Sequence, residues 1–147
     1  MKRAIQRWEL LLLFLAAGKA SGRILDPVRI MKGMFLLEKG GALEPHSYNF
    51  EPYDYGPFSI SLYNDLDLLE SKKLIDRIAR AGRNWSYVRV TNQGHKLAKS
   101  LEKQAKPEQL ELISAVHEDV LDKTFADLLR HIYKKYPEYA GRSVFQG

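Results

Sequence analysis

The chain has no cysteine. That excludes a disulfide framework and a thiolate metal site, and it fits a reducing compartment such as the cytoplasm. A bilayer-spanning run is also missing. The longest apolar stretch, Leu10 to Ala17, is eight residues, against the roughly 18 that a membrane helix needs. Arg7 and Glu9 stand where the apolar part of a signal peptide would begin, so a core helix is the better reading, with Ile5, Trp8, Leu12 and Leu15 recurring at three and four. No membrane association is expected. The third scarcity is local: residues 72–106 hold ten basic side chains but only two acidic ones.

What remains is an ordinary globular composition. Of 147 residues, 45% are hydrophobic and 28% charged, with a net charge of +5. That length suits one domain, residues 1–147, with a core that needs no staples. The modest total hides the layout. Residues 38–71 carry one basic and seven acidic side chains, and residues 107–147 carry five and seven. A basic block thus lies between two acidic ones, a pattern that attracts phosphate backbones or acidic protein surfaces.

Punctuation residues divide the chain. A first helix is predicted over about 3–17, followed by a loop from Gly18 to Arg23. Gly18-Lys19-Ala20 lacks both the earlier glycine and the Ser/Thr of a phosphate-binding loop. Asp26-Pro27 starts a helix over 27–39 that Gly40-Gly41 ends. Residues 42–58, rich in proline, tyrosine and acid, read as an extended segment. Ser59 is the expected N-cap of a helix over 60–71, with Leu62, Leu66 and Leu69 inward and Asn64, Asp65, Asp67 and Glu70 outward. Leu74–Arg80 and Trp85–Thr91 read as paired strands around Ala81-Gly82-Arg83-Asn84, a wing over about 74–91. Val88 and Val90 would face the core, and Trp85, Tyr87 and Arg89 the other way. Helices over 92–105, 108–121 and 124–136 complete the chain. The fold expected is mainly α with a small antiparallel hairpin, a winged-helix core whose added C-terminal helices either support it or pair two copies into a homodimer.

Tyr53-x-Tyr55-Gly56-Pro57-Phe58-Ser59, then Leu62-Tyr63-x-x-Leu66 and Leu74-Ile75, resembles the YwgA-like proteins and the related Panacea (SocA-like antitoxin) domain. The ending Ile132-Tyr133-Lys134-Lys135-Tyr136-Pro137-Glu138-Tyr139-Ala140 with Ser143 is similar to the tail of YwgA-like chains. The resemblance implies a helical domain with a winged-helix core, toxin neutralisation in some Panacea members, and delivery of a toxin to a protease in SocA-like ones. It carries no catalytic residues.

No catalytic constellation assembles from the residues themselves. His46, His95, His117 and His131 read as solvated surface groups, because His117-Glu118 lacks a second histidine at Leu121. Asp65 with Asp67, and Glu118 with Asp119, are too close in sequence to face each other on a helix. Ser59, Ser61 and Ser143 have no nucleophile signature. No enzyme activity, cofactor or metal is expected.

The basic wing is the strongest candidate. Lys72, Lys73, Arg77, Arg80, Arg83 and Arg89, with Trp85 and Tyr87, form a set in which guanidinium forks meet phosphates and rings stack on bases or sugars. In a winged helix the wing follows the duplex while the third helix reads the major groove. The 60–71 helix argues against base readout, because its carboxylates repel phosphates and only Asn64 could read a base edge. The expected function is therefore DNA contact through the wing in a regulator-like cytoplasmic protein. The alternative is an antitoxin or adaptor that holds a partner protein through Tyr48, Tyr53 and Tyr139 beside acidic residues. Tyr55 and Phe58 are expected to pin the extended segment to the core, with Tyr133 packed on it.

Overall fold

The computed structural model describes residues 4–18 and 24–144. The predicted loop after Gly18 and the residues before Ala4 lie outside them.

The apolar run near the start becomes α1 (Arg7–Ala16), and every residue from Leu10 to Leu15 is buried. A helix apolar on all sides must be enclosed on all sides. Here α2 (Pro27–Lys39), α3 (Ile60–Ser71), α4 (Asn92–Glu102) and α5 (Pro107–Asp122) pack around it, together with a strand. α6 (Phe125–Lys135) and a 3-10 turn, Pro137–Tyr139, follow. The fold is mainly α with two small antiparallel hairpins, β1 (Glu51–Tyr53) with β2 (Gly56–Phe58), and β3 (Ile75–Ala79) with β4 (Ser86–Val90).

Local chemistry sets the element ends. Asp26 accepts from the Arg29 backbone N–H at 2.9 Å, with Pro27 in the first helical position, the arrangement in which the missing proline N–H costs nothing. Thr91 Oγ1 accepts from the Gly94 N–H and donates to the Lys73 carbonyl at 2.8 Å. One side chain therefore ties together the end of α3, the root of the β3–β4 hairpin and the start of α4. Ser59 holds the N-cap position of α3, but its hydroxyl is turned to the Tyr48 carbonyl, anchoring the preceding loop.

The C-terminal helices lie on the core. α5 packs on α1 and α2, and α6 packs on α2 and β2. The Arg29 guanidinium reaches the α5 terminus, donating to the Val120 and Lys123 carbonyls, each at 2.9 Å. Orphan carbonyls at a helix end are thereby satisfied by a neighbouring helix.

Three expectations need correction here. Residues 42–58 are not one extended segment: turns and bends run up to Ser47–Tyr48, and 51–58 close into β1–β2 with Pro52 opposite Pro57. Asp65 does not face solvent. It stands three residues after Leu62 and four before Leu69, which puts it on their buried face, where Arg7 Nε and Nη2 grip both its oxygens at 2.8 and 3.0 Å. His117 shares the buried stripe of α5 with Ile113, Val116 and Val120, and its ring meets Phe14 edge-on at 5.4 Å.

Candidate nucleic-acid interface

The register of the β3–β4 hairpin decides where each cation goes. Ile75 pairs with Val90, Asp76 with Arg89, Arg77 with Val88, Ile78 with Tyr87 and Ala79 with Ser86. Because side chains alternate, Ile75, Arg77, Val88 and Val90 share the inner face, while Asp76, Ile78, Tyr87 and Arg89 share the outer one. β4 has a second neighbour: the Val88 N–H donates to the Leu25 carbonyl at 3.0 Å, so Leu25 flanks the strand opposite β3.

The predicted arginine cluster is divided by this alternation. Arg77 lies on the inner face and turns to α3, where Nη1 contacts Asp67 at 2.7 Å and Glu70 at 3.2 Å. Arg89 pairs across the strands with Asp76 at 3.2 Å. Both guanidinium groups are thus engaged within the molecule. The outward carboxylates of α3 named above are in turn largely those that hold Arg77.

Arg80 and Arg83 are placed differently. Arg80 Nη1 donates to the Tyr87 hydroxyl at 2.8 Å, and its guanidinium lies 5.0 Å from the Tyr87 ring centroid and 5.8 Å from that of Trp85. Trp85 and Tyr87 meet edge to face at 5.1 Å. A guanidinium over two rings keeps its charge while losing rotamer freedom in advance. Arg83 sits in the exposed turn, its backbone N–H closing onto the Arg80 carbonyl at 3.1 Å. Among the described residues neither has a carboxylate partner. At the root of the hairpin Lys72 lies 5.2 Å from the Trp8 ring, and exposed Lys73 has a left-handed backbone with φ of 63°. On α4, Lys96, Lys99 and Lys103 are exposed as well.

The tyrosines of the alternative reading separate too. Tyr48 is 1% exposed. Its hydroxyl donates to Asp65 Oδ2 at 2.7 Å under the Arg7 guanidinium, and burial with that bond pushes its pKa up. It is a core residue and cannot meet a partner. Tyr139 is half-buried against Phe35, ring to ring at 4.7 Å, which leaves it a supporting role. Tyr53 is 45% exposed, stacked on Phe58 with Arg142 over its ring. Tyr55, expected to pin the segment inward, is half exposed and touches Phe125 only by its edge, whereas Phe58 and Tyr133 are half-buried.

Sequence reasoning missed Lys32. It belongs to the buried side of α2 and is 4% exposed, and its Nζ donates to the Pro57 carbonyl at 3.0 Å. Its signal was available, since Lys32 falls between Met31 and Met34 in a run that is buried from Ile30 to Leu37. Among the described residues no group of three or more His, Asp or Glu side chains gathers as a metal site, and no helix is long and apolar enough to cross a membrane. No protein-family model matches this chain, and no curated protein does.

Proposed function

We propose that this chain is a non-enzymatic, winged-helix-type cytoplasmic protein that contacts DNA through its wing tip, without reading base sequence. The reading is carried by Arg80 and Arg83, cations exposed at the far end of a hairpin and free of internal carboxylates while their neighbours Arg77 and Arg89 are engaged. The order of α1, Leu25 beside β4, α2, α3 and the β3–β4 hairpin supports the winged-helix assignment. Phosphate contact needs donors in reach and a positive field, and the wing has both. Base readout needs more, and α3 presents Asn64, Asp67, Leu68 and Glu70 to the outside, of which only Asn64 could read a base edge.

A second reading rests on a separate observation. Ile60 at 65% exposure, Leu68, Tyr53 and Tyr55 are large apolar or aromatic groups open to solvent on α3 and the first hairpin. They support an antitoxin- or adaptor-type protein that grips a partner, as the resemblance to the YwgA-like and Panacea families implies.

Titration of generic duplex DNA at 50 and 200 mM salt separates the two. The wild type should bind more weakly at the higher salt. Arg80→Glu/Arg83→Glu should reduce affinity at least ten-fold, lowering the slope of log affinity against log salt by about 2, as loss of two phosphate contacts requires. Arg89→Gln, which removes an already paired cation, should change little. A wild type that ignores DNA at low salt would hand the case to the partner-protein reading, and a double variant that binds as well as the wild type would overturn contact through the wing tip.

A further inference from the structure

The first hairpin closes over a buried charge. The β1–β2 hairpin turns at Asp54 and Tyr55, and in its strands Pro52 and Pro57 face each other at the register position whose backbone groups point away from the partner strand, so neither proline removes a ladder bond. The Pro57 carbonyl so exposed is taken by Lys32 Nζ. An ammonium has three donors, and this one has a single backbone acceptor. Buried lysines are ordinarily paired with a carboxylate. Among the described residues none pairs with Lys32, and burial alone lowers its pKa to about 8.

Lys32 lines a cavity of about 300 Å3 under the hairpin, with Met31, Tyr53, Tyr55, Phe58 and Tyr63 among its walls. Sites of this size that bind small molecules are mostly apolar and aromatic, with a few polar groups that fix orientation. One of the polar groups here, Lys32, is cationic, and Arg142, 5.1 Å from the Tyr53 ring, adds a second positive charge beside that wall. Asp54 also borders the cavity, which disfavours ligands of high negative charge.

We propose that this cavity binds a small aromatic monocarboxylate, its ring among the tyrosines and Phe58 and its carboxylate on the Lys32 ammonium. A neutral alcohol of the same shape fills the walls but offers the ammonium only an uncharged oxygen, a weaker acceptor than a carboxylate, so the acid is preferred. The site is separate from the wing tip and stands whether or not the wing binds DNA.

Calorimetry on the full chain at pH 7 with 4-hydroxybenzoate and with 4-hydroxybenzyl alcohol tests it. The acid should bind at least ten-fold more tightly than the alcohol, and Lys32→Met should bring the two to parity. Tyr53→Ala, on an exposed wall, should weaken both and keep their ratio. A readout independent of substitution is NMR of the chain labelled with 13C at the lysine ε carbon: the Lys32 titration midpoint should move upward with the acid and stay in place with the alcohol. Equal affinity for acid and alcohol, no binding of either, selectivity that survives Lys32→Met, or an unmoved midpoint would each overturn the proposal.

Discussion

The β1–β2 hairpin has three residues per strand, a proline on each, and lies against α2 and α6; the β3–β4 hairpin has five per strand, no proline, and is exposed from Ala79 to Asn84. Among the described residues each has cations without a carboxylate partner, Lys32 beneath the first and Arg80 and Arg83 at the end of the second. The consequences are opposite. At the exposed end, water and salt screen the charge, so it costs folding little and stays available to a polyanion. Beneath the inner hairpin the charge is desolvated, so it destabilises the fold until something compensates it. The same charge type is thus a screened, solvent-facing group in one place and a desolvated interior one in the other.

The sharpest way to break this contrast is through pH. Lys32 has a folded pKa of about 8 against an ordinary value of 10.5. Between those values the unfolded chain binds the proton more tightly than the folded one, so stability rises with pH across that window. Below about pH 8 the burial penalty is fully present, and above about pH 10.5 it is gone. The shift corresponds to roughly 3 kcal/mol at 1.36 kcal/mol per pKa unit. In urea unfolding from pH 7 to 10.5, the stability of the wild type relative to Lys32→Met should therefore climb by roughly 3 kcal/mol. Comparing the two proteins cancels the tyrosine titrations they share. A flat difference would mean that Lys32 is effectively solvated.

The next test sets one glycine of each hairpin against the other. Gly56 and Gly82 both have left-handed backbones, with φ of 90° and 75°. A methyl group on Gly56 would lie 3.1 Å from Leu129 Cδ2 and 3.4 Å from Lys32 Cε, whereas one on Gly82 would meet nothing within 4 Å. Gly82→Ala should cost about 1 kcal/mol from backbone strain alone. Gly56→Ala should cost about 2 kcal/mol, because crowding against packed neighbours adds to that strain. Equal costs would show that the inner hairpin is seated loosely enough to yield.

How far the sequence could be read follows the same division. Helices 27–39 and 60–71 and the β3–β4 hairpin are legible because Asp26-Pro27, Gly40-Gly41 and the Ala81–Asn84 turn are strong local signals. The inner hairpin is not, because Pro52 and Pro57 argue against strands unless the register that spares them is already known. Composition groups the arginines of this outer hairpin, β3–β4, into one cluster, whereas alternation divides them between its two faces. Arg77 has the parity of Ile75, which assigns it to the inner face and to α3. Asp65 and His117 were missed in the same way, as polar residues standing on a hydrophobic period. Tyr48 depended on tertiary structure, since its partners Arg7 and Asp65 lie 41 and 17 residues away in the chain.

The smallest effect expected lies at the root of the wing. Lys73 adopts a φ of 63° just past α3, where its N–H donates to the Glu70 carbonyl and the Leu74 N–H to the Leu69 carbonyl. That is a helix-ending motif in which glycine is usual, because a side chain with a Cβ resists the left-handed region. Lys73→Gly and Lys73→Ala both delete the charge, but only glycine relieves the backbone. The glycine variant should be more stable than the alanine variant by about 1 kcal/mol, a melting difference of roughly 2–4 °C for a chain of this length. Their DNA affinities should match each other, with a loss no greater than one phosphate contact produces, because Arg80 and Arg83 are untouched. A loss as large as that of Arg80→Glu/Arg83→Glu would move the binding surface from the tip of the wing to its root.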